Sequence, residues 1–323
     1  MKLGSRLGFE QLHDFTITCL FVKEIIVFFR KEMKILTWNV WFDRLEMPRR
    51  TMAIVNILER LRPEVACFQE VTAPFLTQLL ETPWIQHEYI CSDPMDCSTI
   101  GRYGVMMLTR KELAPMYTWI DFDMSRMGRK LLCAQISLPS GDCLTVGTVH
   151  LESLNTQRVR EAQLEVCRDN LPRGKSVLVG DFNFCSERNY SGSLPLDNDC
   201  LERILGPDKY DDLWAKLRPS EVGYTFDSER NKMLLKYEQA RYDRIMTSLH
   251  ESSLTATSIE LVGDKVIDKD TCLEIDNYEE VDPIPDGFST PPRQTMFVSV
   301  NHERDGPILP SDHFGLCANF EIR

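Results

Sequence analysis

Residues 176–183 read SVLVGDFN. Val177 to Val179 make a short apolar run, the pattern of a strand buried in a core. Gly180 follows, removing the Cβ where the backbone has to turn closely. Asp181 and Asn183 come next, separated by one residue. At the carboxyl end of a core strand they present a carboxylate and an amide to the same rim, a pair suited to holding a water beside a phosphate. Taken alone, Gly-Asp after a strand is also the chemistry of an ordinary turn.

Further polar clusters stand where other apolar runs stop. Thr37-Trp38-Asn39 ends one, Gln69-Glu70 a second and His150-Leu151-Glu152-Ser153 a third, and Ser311-Asp312-His313 precedes the last. With GDFN, and in this order, they resemble the Mg²⁺-dependent endonuclease/exonuclease/phosphatase superfamily. Within it the likeness is to the tyrosyl-DNA phosphodiesterases, their plant-like members in particular. The resemblance covers residues 33–323.

Composition is that of an ordinary globular protein, 43% hydrophobic and 27% charged over 323 residues. A net charge of −12 argues against a protein that coats nucleic acid by bulk electrostatics, but not against a local site for one phosphate. The eleven cysteines show no CxxC pair, which disfavours a zinc or disulfide framework and favours a reducing compartment. Cys67, Cys133 and Cys143 sit in apolar runs and read as small core residues. Residues 17–29 are apolar but carry Lys23 and Glu24 at their centre, too short and too charged to span a membrane. They read as a docking element in an N-terminal extension, residues 1–32, whose role is open. Residues 33–323 read as one domain.

Along that domain, residues 34–40 and 65–71 read as strands around a helix over 49–62, with Met52, Val55, Leu58 and Leu61 inward. Pro63 stops that helix. Residues 131–138 and 143–149 flank Pro139-Ser140-Gly141-Asp142, a hairpin turn, so the sheet is not purely parallel. A helix over 157–171, with Val159, Ala162, Val166 and Cys167 inward, leads to the 176–180 strand. Residues 223–227, GYTFD, read as an exposed turn, and the Pro- and acid-rich residues 263–310 as a long surface loop. Two βα-rich halves indicate an α/β fold in which two packed mixed β-sheets are flanked by helices, a four-layer sandwich.

Phosphodiester hydrolysis needs a cation on the phosphate, an activated water in line and a group that neutralises developing charge. Mg²⁺ is held by one or two carboxylates and several waters. Glu70 is the candidate direct ligand, with Asn39 supplying a neutral oxygen, and Mn²⁺ is a candidate substitute. Asp181 is the candidate general base, oriented by Asn183. His313 is placed to touch the phosphate as an imidazolium, which requires a carboxylate holding its proton.

The resemblance implies more. It makes Asp243 the partner of His313, places Asp312 next to the metal through a water, and puts His150 on the scissile phosphate opposite His313. Arg129, in Ser125-Arg126-Met127-Gly128-Arg129, resembles the arginine that approaches the 5′-linked tyrosine. Tyr103 resembles a tyrosine of the same groove, Phe226 falls where relatives stack a tryptophan on a base, and Ser153 stands with the substrate. Trp41 replaces an acid of many relatives, and GDFNF lacks a downstream charged residue, which implies a single metal. The implied activity is a 5′-tyrosyl-DNA phosphodiesterase that removes a trapped type II topoisomerase peptide from a single-stranded or overhanging DNA end and leaves a 5′-phosphate. That substrate implies a nuclear or cytoplasmic protein. The same scaffold also admits an RNA deadenylase, a sphingomyelinase, a phosphoinositide phosphatase or an inactive binding protein.

Overall fold

The computed structural model describes residues 32–188, 196–276 and 306–323. The docking element read over residues 17–29, and residues 277–305 of the surface loop, lie outside them.

The chain opens with β1 (Glu32–Asn39), α1 (Met47–Leu61) and β2 (Val65–Val71). Then come α2 (Ala73–Leu80), α3 (Pro83–Glu88), β3 (Tyr89–Cys91), β4 (Gly104–Arg110) and β5 (Met116–Asp121). The hairpin β6 (Lys130–Ser137) and β7 (Cys143–His150) follows, then α4 (Gln157–Asn170) and β8 (Ser176–Asp181). The second half adds α5 (Asp197–Leu205), β9 (Asp211–Asp212), α6 (Leu213–Leu217), β10 (Phe226–Asp227) and β11 (Gln239–Ala240). It closes with β12 (Asp243–Ser248), β13 (Leu254–Val262) and β14 (Gly315–Ile322).

Twelve of these strands build two six-stranded sheets, ordered β13-β14-β1-β2-β4-β3 and β5-β6-β7-β8-β12-β9, and β10 pairs with β11. Each is mixed: β1 and β2 are parallel in the first, β7 and β8 in the second, and their other neighbours are antiparallel. Strand periodicity explains the packing. In β1, Met33 and Ile35 face the second sheet, meeting Leu132, Val146, Val177, Val179 and Ile245 in the central core. Leu36 and Trp38 face the other way, against Ile54 and Leu58 of α1 and Phe75 and Leu79 of α2. The far side of the second sheet, with Val149 and Leu178, is covered by Leu164 and Cys167 of α4 and Leu201 and Ile204 of α5. Helices outside and two sheets inside give the four layers expected.

Several local expectations change. In α1 the buried residues are Met47, Arg50, Thr51, Ala53, Ile54, Val55, Ile57 and Leu58, so Val55 and Leu58 lie inward as expected, while Met52 is 40% exposed and Leu61 half-buried. A three-residue spacing drifts around a helix of 3.6 residues per turn. The true stripe also includes an arginine, because Arg50 donates to the Leu45 and Val40 carbonyls at 2.8 and 3.0 Å. In α4 the buried face is Arg160, Gln163, Leu164 and Cys167, with Arg160 paired to Asp197 at 2.9 Å. Cys143 is exposed at the start of β7, unlike the buried Cys67 and Cys133. GYTFD is no exposed turn: Thr225 is buried and its hydroxyl accepts the Tyr242 and Asp243 N–H groups at 3.1 Å. The described ends of the 263–310 segment are packed as well. Ile267, Cys272, Ile308 and Leu309 share a cluster with Met233 and Phe314, and the Ile267 N–H donates to the Ile308 carbonyl at 2.8 Å.

Candidate active site

The register of the two parallel pairs assembles the site. Asn39 stands opposite Gln69, His150 opposite Asp181, and Asp243 opposite Asp181 from the other side. The polar ends of five strands therefore lie along one edge where the sheets meet. Backbone strain concentrates there. Trp41, Glu70, Leu154 and Asn183 have φ of 58°, 59°, 65° and 56°, a conformation that side chains with a Cβ rarely adopt. At Glu70 the cause is a break in register between β2 and β4, from Phe68 to Val71, and such a bulge re-aims a side chain.

Asp181 is buried and fully engaged. Its Oδ2 accepts the Asn39 amide at 3.0 Å, and its Oδ1 accepts the Asn183 backbone N–H at 2.8 Å. Burial alone would raise this carboxyl. His150, His313, Asn39 and the Asn183 N–H outweigh it, and Asp181 lies below its ordinary value. The Asn183 amide is spent on the Leu151 carbonyl at 2.9 Å, so Asn183 orients Asp181 through its backbone. Asn39 is held on both sides of its amide. Its Oδ1 accepts the Trp41 N–H at 3.0 Å while its Nδ2 faces Asp181, so it braces the carboxylate.

His313 Nδ1 lies 2.8 Å from Asp243 Oδ2. Burial would lower this imidazole, but Asp243 and Asp312 reverse the effect and hold it well above the usual histidine value. With Nδ1 committed, Nε2 is the nitrogen free for a phosphate oxygen. Phe226 meets the His313 ring edge-on at 5.1 Å and Tyr242 at 5.8 Å, so this aromatic supports the histidine.

His150 is set up in the opposite way. Arg129 Nη1 lies 2.7 Å from its Nδ1, and a guanidinium only donates. The proton of the neutral ring must therefore sit on Nε2, which is 3.5 Å from Asp181 Oδ2 and 3.9 Å from Glu70 Oε1. Burial, then Arg129, pushes His150 down to about 3. One site thus holds a charged and a neutral histidine. Arg129 also stands 5.1 Å from the centre of the Tyr103 ring, and Phe42 stacks on Tyr103 at 4.8 Å. Tyr103, Arg129 and His150 line a cavity of about 250 Å³. The Ser153 hydroxyl is 3.3 Å from Met127 Sδ.

Two groups could hold a cation. Asp181, Asp243 and His313 present ligand atoms within 4.8 Å of one another, and Asp243 Oδ1 is buried with no hydrogen-bond partner among the described residues. The His313–Asp243 contact is, however, already a charge-assisted hydrogen bond. Glu70 and Asp312 are the less satisfied pair. Burial, then Asp312, raises Glu70 to about 7, against one backbone donor, the Phe42 N–H at 3.0 Å. Burial raises Asp312 too. Half-buried carboxylates that repel one another fit a divalent cation, which relieves both costs.

This predicts a pH-dependent metal response. A carboxyl raised on folding contributes stability fully present below its unfolded value and lost as pH rises through about 7. Protons would then compete with a metal ion held at Glu70. The rise in Tm on adding Mg²⁺ should be larger at pH 8 than at pH 6, and Glu70→Gln should abolish that difference. An equal rise at both pH values in the parent protein would remove Glu70 from the metal site.

Sequence reasoning missed the Arg129–His150 contact and the support role of Phe226. Both join residues far apart in the chain, and no local pattern records them.

The Endonuclease/Exonuclease/phosphatase family model matches residues 36–313. The chain is 23% identical over 299 residues to tyrosyl-DNA phosphodiesterase 2 of Xenopus tropicalis, covering 89% of this chain and 65% of that protein. It thus spans less than two thirds of that relative's length. It is similar in structure to D. rerio TDP2 complexed with single strand DNA product, with TM-score 0.63 and 22% identity over 90% of this chain and all 100% of that one. Truncated Caenorhabditis elegans TDP2 gives 0.64 and 20%, covering 90% and 97%. These structural likenesses establish a shared fold. Together with a family match over most of the sequence, they lead to one conclusion: the chain belongs to the Endonuclease/Exonuclease/phosphatase family.

Proposed function

We propose that this protein is a Mg²⁺-dependent phosphodiesterase that hydrolyses a 5′-phosphotyrosyl bond on DNA, of the kind left by a trapped type II topoisomerase, and releases a 5′-phosphate end. The observation that carries this reading is the convergence of Asp181, a charged His313 and a neutral His150 beside a cavity walled by Arg129 and Tyr103. The frog relative bears the name of this activity, and the zebrafish structure is described with a single-strand DNA product.

When bound, a divalent cation would be held at Glu70, with Asp312 near it, and would supply Lewis-acid stabilisation of the phosphate oxygens. The chain's own residues do the rest. Asp181, ionised at neutral pH and braced by Asn39, takes a proton from water as the water oxygen bonds to phosphorus. His313 gives Nε2–H to a phosphate oxygen, with Asp243 keeping its charge. His150 gives a second, neutral donor from Nε2. The P–O bond to the tyrosine breaks, and the leaving phenolate needs little help, since a phenol loses its proton near pH 10. Arg129 and Tyr103 flank this aryl group. Residues 1–32 are proposed as an extension outside the catalytic domain of residues 33–323, and the substrate points to a nuclear or cytoplasmic setting. Among the described residues, no helix is long and apolar enough to cross a membrane.

The test is incubation with Mg²⁺ and, separately, 5′-phosphotyrosyl single-stranded DNA, poly(A) and sphingomyelin. Tyrosine release from the first alone supports the reading, and activity confined to the lipid or to poly(A) ends it. Within it, Arg129→Ala should cut kcat/KM on the tyrosyl oligonucleotide about tenfold more than on a nitrophenyl phosphodiester. Equal losses would argue against a contact with the leaving group.

A further inference from the structure

Glu152, the acid of His150-Leu151-Glu152-Ser153, has no part in the chemistry above, yet it is 1% exposed and heavily bonded. Its Oε1 accepts the Arg126 N–H at 2.8 Å. Its Oε2 accepts the Ser125 hydroxyl at 2.8 Å and the Gln163 amide at 3.2 Å. Gln163 Oε1 in turn accepts the Glu152 N–H at 2.9 Å, which ties the carboxylate to α4. Having donated its proton to Glu152, the Ser125 oxygen is left to accept the Arg129 N–H at 2.9 Å. Gly128, at φ 69°, lets the chain turn back between them. Arg129 then reaches His150 Nδ1 at 2.7 Å.

Every donor in this series points the same way. The Glu152 carboxylate only accepts, Ser125 gives it one proton, Arg129 gives to Ser125 and to His150, and His150 keeps its remaining proton on Nε2 toward Asp181. The direction depends on an acid at its origin. Three donors converge on Glu152, and a carboxylate can accept them all, whereas a glutamine would turn an NH₂ group against at least one. We propose that Glu152 is the positioning residue for the leaving-group side of the site: by ordering residues 125–129 it aims Arg129 and, through Arg129, selects the His150 tautomer. This rests on the reading of Arg129 as the leaving-group contact.

The test is a double-mutant cycle. Glu152→Gln should lower kcat on a 5′-phosphotyrosyl oligonucleotide by about 10-fold to 100-fold, the cost of a misplaced group, with KM changing less than kcat. Its preference for that substrate over a nitrophenyl phosphodiester should fall to that of Arg129→Ala. The double variant should be no slower than Arg129→Ala alone, because both changes disable one device. Ser125→Ala cuts the same connection at a half-buried hydroxyl, and it carries the cycle if Glu152→Gln fails to fold. Losses that multiply would overturn the proposal and leave Glu152 a merely structural acid. If Arg129→Ala slows both substrates equally, the leaving-group reading fails, and the cycle on either substrate still decides whether Glu152 acts through Arg129.

Discussion

Asp181→Asn should lose about 10³-fold in kcat while the folded protein persists, with Tm within about 3 °C of the parent. The catalytic loss follows from chemistry, since an amide cannot take a proton from water. The small change in stability follows from opposing effects. Asn39 Nδ2 and the Asn183 N–H both donate to the carboxylate, and an asparagine oxygen can satisfy only one of them where each now has its own. That costs about 1 kcal/mol. Against it, removing one buried negative charge relieves its desolvation and its repulsion of Glu70, Asp243 and Asp312, all of which Asp181 raises, a gain reduced by the lost attraction to His313. Single-turnover rates with a thermal melt check both halves. Turnover within tenfold of the parent would take the base role from Asp181.

Gly180→Ala should cost about 4 kcal/mol, through a backbone conformation closed to side chains and through a clash that cannot relax. Gly180 has φ +134°, and a Cβ there would lie 2.0 Å from the Val149 carbonyl oxygen. Val149 is its register partner on the parallel strand β7, so giving way would pull apart the pair that sets His150 against Asp181. A loss of that size corresponds to a fall in Tm of about 8 °C or more. Gly141→Ala is the control. That glycine also has positive φ, +88°, but an added Cβ meets nothing within 4 Å in the hairpin turn. It should cost about 1 kcal/mol. Equal falls in Tm would show that strain alone, and not the contact with Val149, makes Gly180 necessary.

Particular elements show where the reading from sequence succeeded. Strands end in polar residues at Asn39, His150 and Asp181, and β2 carries Glu70 one residue before its end, because a buried apolar run can stop only where the chain regains water or a bonding partner. Such an ending is local, and so it is legible. The helix faces were less so. Arg50 and Arg160 count as polar by letter but lie inside, Arg50 because carbonyls of the 40–45 segment satisfy it and Arg160 because Asp197 does. Periodicity weighs residue types and cannot see a partner that arrives from elsewhere.

The sequence by itself determined the α/β sandwich, its hairpin, and the polar groups at the strand ends, because apolar period, turn residues and strand-end polarity are properties of short segments. Only the tertiary structure decided how those groups are oriented, charged and packed. The direction of the Asn39 amide, the charge on His313, the neutrality of His150 and the packing of Phe226 against a histidine all depend on hydrogen bonds and burial shared between residues distant in the chain. A side chain's protonation state belongs to its surroundings, and these surroundings exist only once β1, β2, β7, β8 and β12 have been brought into register.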